Sequence, residues 1–308
     1  MKAMILAAGL GTRLKPLTDR KPKALMPIVN KPIIGRTIEY LKRFGIHQII
    51  VNAHHYSEQI LDYLDAGRPF GIEIEVRVEA RILGTGGGLR NTWDFWDHDA
   101  FFIINSDILT NINLDEAYAH HRSSGAMATL ILHRCAPFNQ IRIDEPYRVN
   151  EHHRILDIGR PNIPGGWAFT GIHIMEPGLL PHIPATEFSD IIDCYRTLIQ
   201  AKEQIHAFVV HGHYWRDIGR VESYIQANKE TLDQKEKTFF IGLNTRIHPS
   251  AELSEWAVVG NHAVLEEKAE IRRSILWDHV RVKKGCKITD SIITSGVEVT
   301  GDMEGQIL

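Results

Sequence analysis

Cysteine is scarce in this sequence. Cys135, Cys194 and Cys286 are the only three among 308 residues, odd in number and far apart, which excludes a disulfide framework and a cysteine-based zinc site. Long apolar runs are missing too, since none approaches the ~18 residues of a membrane-spanning helix. The apolar stretch from Ala3 to Leu10 is broken by Gly9 and Gly11 and followed by Arg13, Lys15 and Arg20. It lacks a small-residue cleavage pattern, so a secretory leader is not expected. A reducing, cytoplasmic setting follows, with no membrane partner. There is no excess of one charge either: 35 Lys and Arg against 38 Asp and Glu leave a net −3, which gives no global footprint for nucleic acid. The 44% hydrophobic and 24% charged content excludes a disordered chain.

The charge that is present is unevenly placed. Residues 1–43 carry ten basic side chains and only Asp19 and Glu39 on the acidic side, so this segment is +8 and the remainder −11. A solvated basic face is the ordinary explanation, and a site for a polyanionic small molecule is the sharper one. Seventeen histidines are many, yet the doublets His54-His55, His120-His121 and His152-His153 lack metal-ligand spacing.

Through about residue 230, strand-like and helix-like segments alternate, the pattern of an α/β domain with a mostly parallel, Rossmann-like sheet. Strands are expected at Ala3–Ala8, Ile49–Asn52, Ile72–Val78, Phe101–Ile104, Ala128–Leu132 and Phe169–Ile174. In the third of these, Ile72, Ile74, Val76 and Val78 should share one face. Ser57 is expected to cap a helix, and Leu114–His121 and Asp190–Ala201 to form others. A charged stretch, Leu232–Lys237, reads as a linker. Beyond it Ile247, Leu253, Val259, Leu265 and Ile271 recur every six residues. Ala251, Ala257, Ala263 and Ala269 recur at the same step, and Ile275 is expected to continue that series. A slip near Leu276 follows before Val282 and Ile288 resume. A six-residue period fits neither helix nor flat strand and points to a parallel β-helix, one inward residue pair per short strand. The expected division is a domain over 1–235 and a coil over 246–308.

The densest motif is Leu6-Ala7-Ala8-Gly9-Leu10-Gly11-Thr12-Arg13-Leu14-Lys15-Pro16-Leu17-Thr18, then Lys21-Pro22-Lys23-Ala24-Leu25. A strand runs into a glycine loop bearing cations. Glycine lets backbone amides approach phosphate oxygens, and Arg13 and Lys23 can offset their charge. It is not a Walker A loop, for that spacing is absent, nor a dinucleotide fingerprint, for Leu14 holds the third glycine position. Alone, Gly-x-Gly marks a tight turn.

This run resembles the signature of sugar-phosphate nucleotidylyltransferases, enzymes that join a nucleoside triphosphate to a sugar 1-phosphate and release pyrophosphate. The resemblance spans essentially the whole chain, since many members carry a left-handed β-helix after the catalytic domain. It implies Arg13 and Lys23 as catalytic cations and Leu6, Ala8, Gly9, Gly11 and Thr12 as nucleotide-binding. Leu83-Gly84-Thr85-Gly86-Gly87-Gly88 matches a loop near the nucleobase, which adds Gly84 and Thr85. Asn105-Ser106-Asp107 and Trp215-Arg216-Asp217-Ile218-Gly219 match the two motifs whose aspartates bind magnesium, so Mg2+ is the implied cofactor, held by Asp107 and Asp217. Ser106 and Arg220 depart from the usual glycine and threonine. Glu79 stands where the family places a base-reading side chain. A carboxylate there accepts from both the N–H and the amino group of guanine, which points to GTP with mannose 1-phosphate. A solvated strand-end glutamate is the alternative. Trp167–Ile172 resembles small uridylyltransferases instead, so UTP or dTTP with N-acetylmuramate or glucose 1-phosphate stays open. On the sugar side the resemblance implies Gly171, and Arg160 where many relatives have lysine in Glu-Lys-Pro.

Two other classes compete. An inactive regulatory paralogue would lack one of Arg13, Lys23, Asp107 and Asp217, and all four are present. A coil acyltransferase would need a histidine such as His262 or His279. A structural coil that covers the domain or joins subunits in a homo-oligomer is the favoured expectation.

Overall fold

Runs of β-branched and aromatic residues bounded by glycine or polar turns become the strands of a computed structural model describing residues 1–149, 151–159, 163–185 and 188–308. In chain order the elements are β1 (Lys2–Leu6), β2 (Pro27–Ile28), β3 (Lys31–Pro32), α1 (Ile33–Arg43), β4 (Gln48–Ala53), α2 (Ser57–Leu64), β5 (Glu73–Val78), α3 (Gly84–Arg90), β6 (Phe101–Asn105), β7 (Ile108–Thr110), α4 (Leu114–Ser124), β8 (Ala128–His133), β9 (Asn139–Ile143), β10 (His153–Ile158), β11 (Trp167–Met175), α5 (Ile191–Gln200), β12 (Ile205–Val209), β13 (Trp215–Asp217) and α6 (Val221–Asp233). Ten short strands follow: β14 (Phe239–Ile241), β15 (Arg246–Ile247), β16 (Glu252–Val259), β17 (Val264–Leu265), β18 (Glu270–Leu276), β19 (Arg281–Val282), β20 (Lys287–Thr289), β21 (Ile292–Ile293), β22 (Glu298–Val299) and β23 (Met303–Glu304). The chain divides into two compact units, one of Met1–Leu10 with Thr37–Trp215 and one of Gly11–Arg36 with Arg216–Leu308.

The first unit is built on a nine-stranded sheet of order β5-β4-β1-β6-β11-β8-β12-β10-β9. Strands β5, β4, β1 and β6 are parallel, as are β8 and β12. β11 runs antiparallel to β6, β8 and β9, and β10 antiparallel to β9 and β12, so the sheet is mixed. The reason is local: β9 and β10 follow each other with no helix between, and a parallel pair would need a crossover. Two local expectations are adjusted. β5 is an edge strand, so Ile74 is buried but Val78 is 48% exposed. Ser57 is the first residue of α2 rather than its cap, because Tyr56 before it takes a left-handed conformation and no side chain caps the helix. Asn113 and Asp190, by contrast, cap α4 and α5 through side-chain oxygens. The core gathers Met4, Ile50, Phe101, Ile103, Leu130 and Tyr195, all fully buried, each large apolar side chain contributing about 1.5–3 kcal/mol.

Buried histidines make this unit acid-sensitive. Burial holds His121, His133 and His206 down at about 4 and His173 at about 3, against an ordinary 6.5. His121 shares a hydrogen bond with the Thr129 hydroxyl (2.8 Å) and His173 one with the Tyr195 hydroxyl (2.6 Å). Below about pH 6.5 the unfolded chain therefore binds more protons than the folded one, and stability declines as pH falls toward 4. Thermal midpoints should drop steeply between about pH 6.5 and pH 4, and His173→Gln, which cannot titrate, should lessen the drop. A midpoint that stays level over that interval would show the histidines to be charged in the folded state.

In the second unit the six-residue period becomes stacked parallel strands. Leu253 pairs with Ile271 and Ile271 with Ile288, while Ile247, Leu265, Val282 and Val299 form another column. The slip falls earlier than expected. Ser254 pairs with Arg272 but Ala257 with Ser274, so one residue is dropped around Arg273. Ser274, not Ile275, therefore stacks on Ala257, and Ile275 stacks on Val258. A small side chain thus continues to follow a small one in a core that includes Ala257, Leu265, Ala269, Ile271 and Leu276. Arg273 sits at the irregularity, bonded to Glu255 at 2.8 Å and Asp290 at 2.6 Å.

Candidate functional site

The parallel register of the first unit sets Leu6 level with Asn52 and with Asn105, so three strands end together at their carboxyl edge. That edge is where open α/β sheets bind ligands. Asn52 is 2% exposed, and its carbonyl oxygen accepts the Ala7 N–H at 2.8 Å. Its amide donates to Glu79 Oε1 at 2.7 Å, and Glu79 Oε2 accepts the Leu83 N–H at 3.0 Å. The turn after β1 and the segment entering α3 are thereby tied to one buried carboxylate. On the other flank the Ser106 N–H donates to the Leu6 carbonyl at 3.1 Å, which brings Asn105-Ser106-Asp107 beside the start of the glycine loop. Gly171, at φ +79°, lies against the same segment, since a Cβ there would stand 2.8 Å from Asn105 Nδ2. Among the sequence candidates of this unit, Leu6, Asp107 and Gly171 are thus drawn together. An added Cβ at Gly9 would meet no atom within 4 Å, so packing does not require that glycine.

Two candidates take different places from those expected. Glu79 is 3% exposed and both of its oxygens serve the chain, so the paired acceptors expected to face a guanine edge are turned inward. The glycine run expected as a loop is the helix α3, with Gly86, Gly87 and Gly88 buried. Glycine is needed there for close approach: a Cβ at Gly88 would lie 2.7 Å from Asn52 Nδ2 and one at Gly84 2.4 Å from the Ser189 carbonyl oxygen. The Gly86 and Gly87 amides donate to that same carbonyl, and Thr85 Oγ1 donates to Asp190 and accepts from the Ile191 N–H. Sequence reasoning missed Asn52, whose only signal was its place at a strand end. Arg160 lies outside the described residues.

The second unit carries the rest. Gly11 has φ +66°, and its missing Cβ would stand 3.1 Å from Lys23 Cβ, so the loop folds onto the lysine-bearing turn. Arg13 lies in the single turn Thr12–Leu14, and Lys23 opens another, Lys23–Leu25. Some two hundred residues later, Asp217 Oδ1 accepts the Gly219 N–H at 2.8 Å. The point a Gly219 Cβ would occupy is 2.6 Å from Asp217 Oδ1 and 3.1 Å from Arg13 Nη2, which puts these two groups within a few ångström of each other. Arg216 bonds Glu230 with its guanidinium and so anchors the end of β13 to α6. In the coil, the His262 and His279 rings stack on each other at 4.9 Å.

Among the described residues no group of three or more His, Cys, Asp and Glu side chains comes together to hold a metal. Two carboxylates still suit magnesium, a hard cation that takes one or two of them and completes its shell with water and substrate phosphate. Asp107 in the first unit and Asp217 in the second are each a carboxylate of the kind that ion takes.

A glycine loop bearing cations after the first strand of a twisted α/β sheet is an arrangement suited to phosphate-bearing ligands. The chain belongs to the nucleotidyl transferase family, whose model matches residues 2–234, and a GlmU-like C-terminal hexapeptide model matches residues 244–305. It is 28% identical to a UTP–glucose-1-phosphate uridylyltransferase of Synechocystis, over 95% of this chain and 87% of that protein. It is 29% identical to a probable mannose-1-phosphate guanylyltransferase of rice, over 95% and 86%. Among solved structures, a putative glucose-1-phosphate thymidylyltransferase of Bacillus anthracis shares the fold with a TM-score of 0.66 at 22% identity, covering 76% of this chain and 96% of that one.

Proposed function

We propose that this chain transfers a nucleotidyl group from a nucleoside triphosphate to a sugar 1-phosphate. A phosphate oxygen of the sugar bonds to the α-phosphorus, the bond to the bridging oxygen breaks, and pyrophosphate leaves. The observation that carries this reading is Arg13 and Asp217, distant in sequence, converging on Gly219. The nucleophile is an anion near neutral pH, so no general base is needed, and the work is positioning and charge compensation. Arg13 and Lys23 hold the triphosphate as negative charge moves onto pyrophosphate. The loop from Leu6 through Ala8, Gly9 and Gly11 to Thr12 presents its backbone to the phosphates, and Glu79, Gly84 and Thr85 shape the wall behind the base. Gly171 and Arg160 are assigned to the sugar side. Asp107 and Asp217 would hold magnesium, which would neutralise phosphate charge.

Residues 1–235 form the catalytic domain in this reading, and 246–308 form a structural coil that supports a homo-oligomer. A cytoplasmic setting suits a chain with only three cysteines, far apart in sequence. GTP with mannose 1-phosphate is the favoured pair, in keeping with the rice relative's name. The inward carboxylate of Glu79 favours a second reading, UTP or dTTP with glucose or N-acetylmuramate 1-phosphate, because it withdraws the guanine-specific acceptors. Pyrophosphate release from each triphosphate with a panel of sugar 1-phosphates separates the two. GTP with mannose 1-phosphate is expected to turn over fastest, and a preference for UTP would end the guanine reading.

A further inference from the structure

The segment that follows Lys23 is held against its own conformational preference. β2 and β3 form a small hairpin, and its turn places Val29 at φ +44° and Asn30 at φ +62°. A β-branched residue in the left-handed region is strained, and such backbone persists only where neighbours overdetermine it. Here they do. The Val29 N–H donates to Asn228 Oδ1 at 2.7 Å, Arg36 Nε donates to the Ile28 carbonyl at 3.1 Å, and the Tyr224 hydroxyl donates to the Pro27 carbonyl at 2.8 Å. Asn228 and Tyr224 both belong to α6, are both fully buried, and are bonded to each other through Asn228 Nδ2 and the Tyr224 carbonyl at 3.0 Å.

One more bond extends this clamp into the coil. Trp277, 4% exposed, donates its indole N–H to the Tyr224 hydroxyl oxygen at 2.9 Å. Its own backbone N–H is bonded to Ile293 in the next rung at 2.8 Å, so the indole is carried on a regular ladder. With its oxygen accepting from Trp277, the Tyr224 hydroxyl proton is directed at Pro27. Lys21 Nζ lies 5.7 Å from the centre of the same indole ring, within cation–π reach, so Trp277 meets the segment directly before Lys23 and, through Tyr224, after it.

We propose that Trp277 is a positioning residue of the coil: through Tyr224 it holds the segment from Lys21 to Val29, and thereby Lys23, in working geometry. The proposal rests on the assignment of Lys23 to the triphosphate. It gives the coil a part in the reaction beyond covering surface. Trp277→Phe keeps a ring and removes only the donor, and Tyr224→Phe removes that bond together with the one to Pro27 should the first variant fail to fold.

Two readouts on the full chain decide it. Hydrogen exchange over residues 24–32 should rise about tenfold in either variant, because the clamp on Pro27 is loosened. The kcat for pyrophosphate release, measured with GTP and mannose 1-phosphate or with UTP and glucose 1-phosphate, whichever pair turns over, should fall about tenfold while the KM for the sugar 1-phosphate stays within about twofold. The double variant should resemble Tyr224→Phe alone. Unchanged exchange, or additive losses in the double variant, would overturn the relay. Raised exchange with full kcat would overturn the positioning role, and Lys23→Ala then locates the error: an active variant faults the assignment of Lys23, and an inactive one faults Trp277 alone.

Discussion

Asp107→Asn leaves the chain folded and lowers pyrophosphate release by about 10²–10³-fold, the scale seen when one group aimed at developing charge is removed. The substitution is nearly isosteric. The end of β6 is set by the main chain, through the parallel register of Leu6 with Asn105 and the Ser106 N–H on the Leu6 carbonyl, and neither involves the Asp107 side chain. What asparagine removes is the negative charge that a hard cation requires. Pyrophosphate release at saturating magnesium, with a thermal melt beside it, separates lost chemistry from lost fold. Turnover near that of the unaltered chain would refute the assignment of Asp107.

Gly219→Ala should be nearly as damaging although it adds a single methyl. Its Cβ would stand 2.6 Å from Asp217 Oδ1, closer than packed atoms tolerate, and 3.1 Å from Arg13 Nη2, a tight contact. The backbone at Gly219 is outside the left-handed region, so alanine is not strained there, and the clash falls on the ends of two functional side chains. Displacing them by about an ångström costs on the order of 100-fold in rate. Stability should change by no more than about 1 kcal/mol, since no core contact is lost. Steady-state kinetics beside a denaturant titration test this, and a fully active Gly219→Ala chain would mean that Asp217 and Arg13 need not meet at that point.

Some of the site could be read before any coordinates. The glycine loop with Arg13 and Lys23, the segment Asn105-Ser106-Asp107 and the Trp-x-Asp motif at Asp217 are contiguous stretches, which is why a resemblance between sequences can match them. The hexads were legible because each rung repeats the same inward position. The direction of β11 was not, since alternation of apolar residues is the same in parallel and antiparallel strands. Nor was the helix α3, because three successive glycines carry no helical preference and are held by contacts with Ser189, a hundred residues away.

Local pattern alone determined the α/β class, the coil and the glycine loop with cations beside it. Only tertiary structure decided that Glu79 faces inward to Asn52 and Leu83, that Gly219 keeps Arg13 and Asp217 close, and that Trp277 reaches Pro27 through Tyr224. Those facts depend on which distant residues meet. A periodicity records which face of an element is buried, but it holds no information about the partner buried against it.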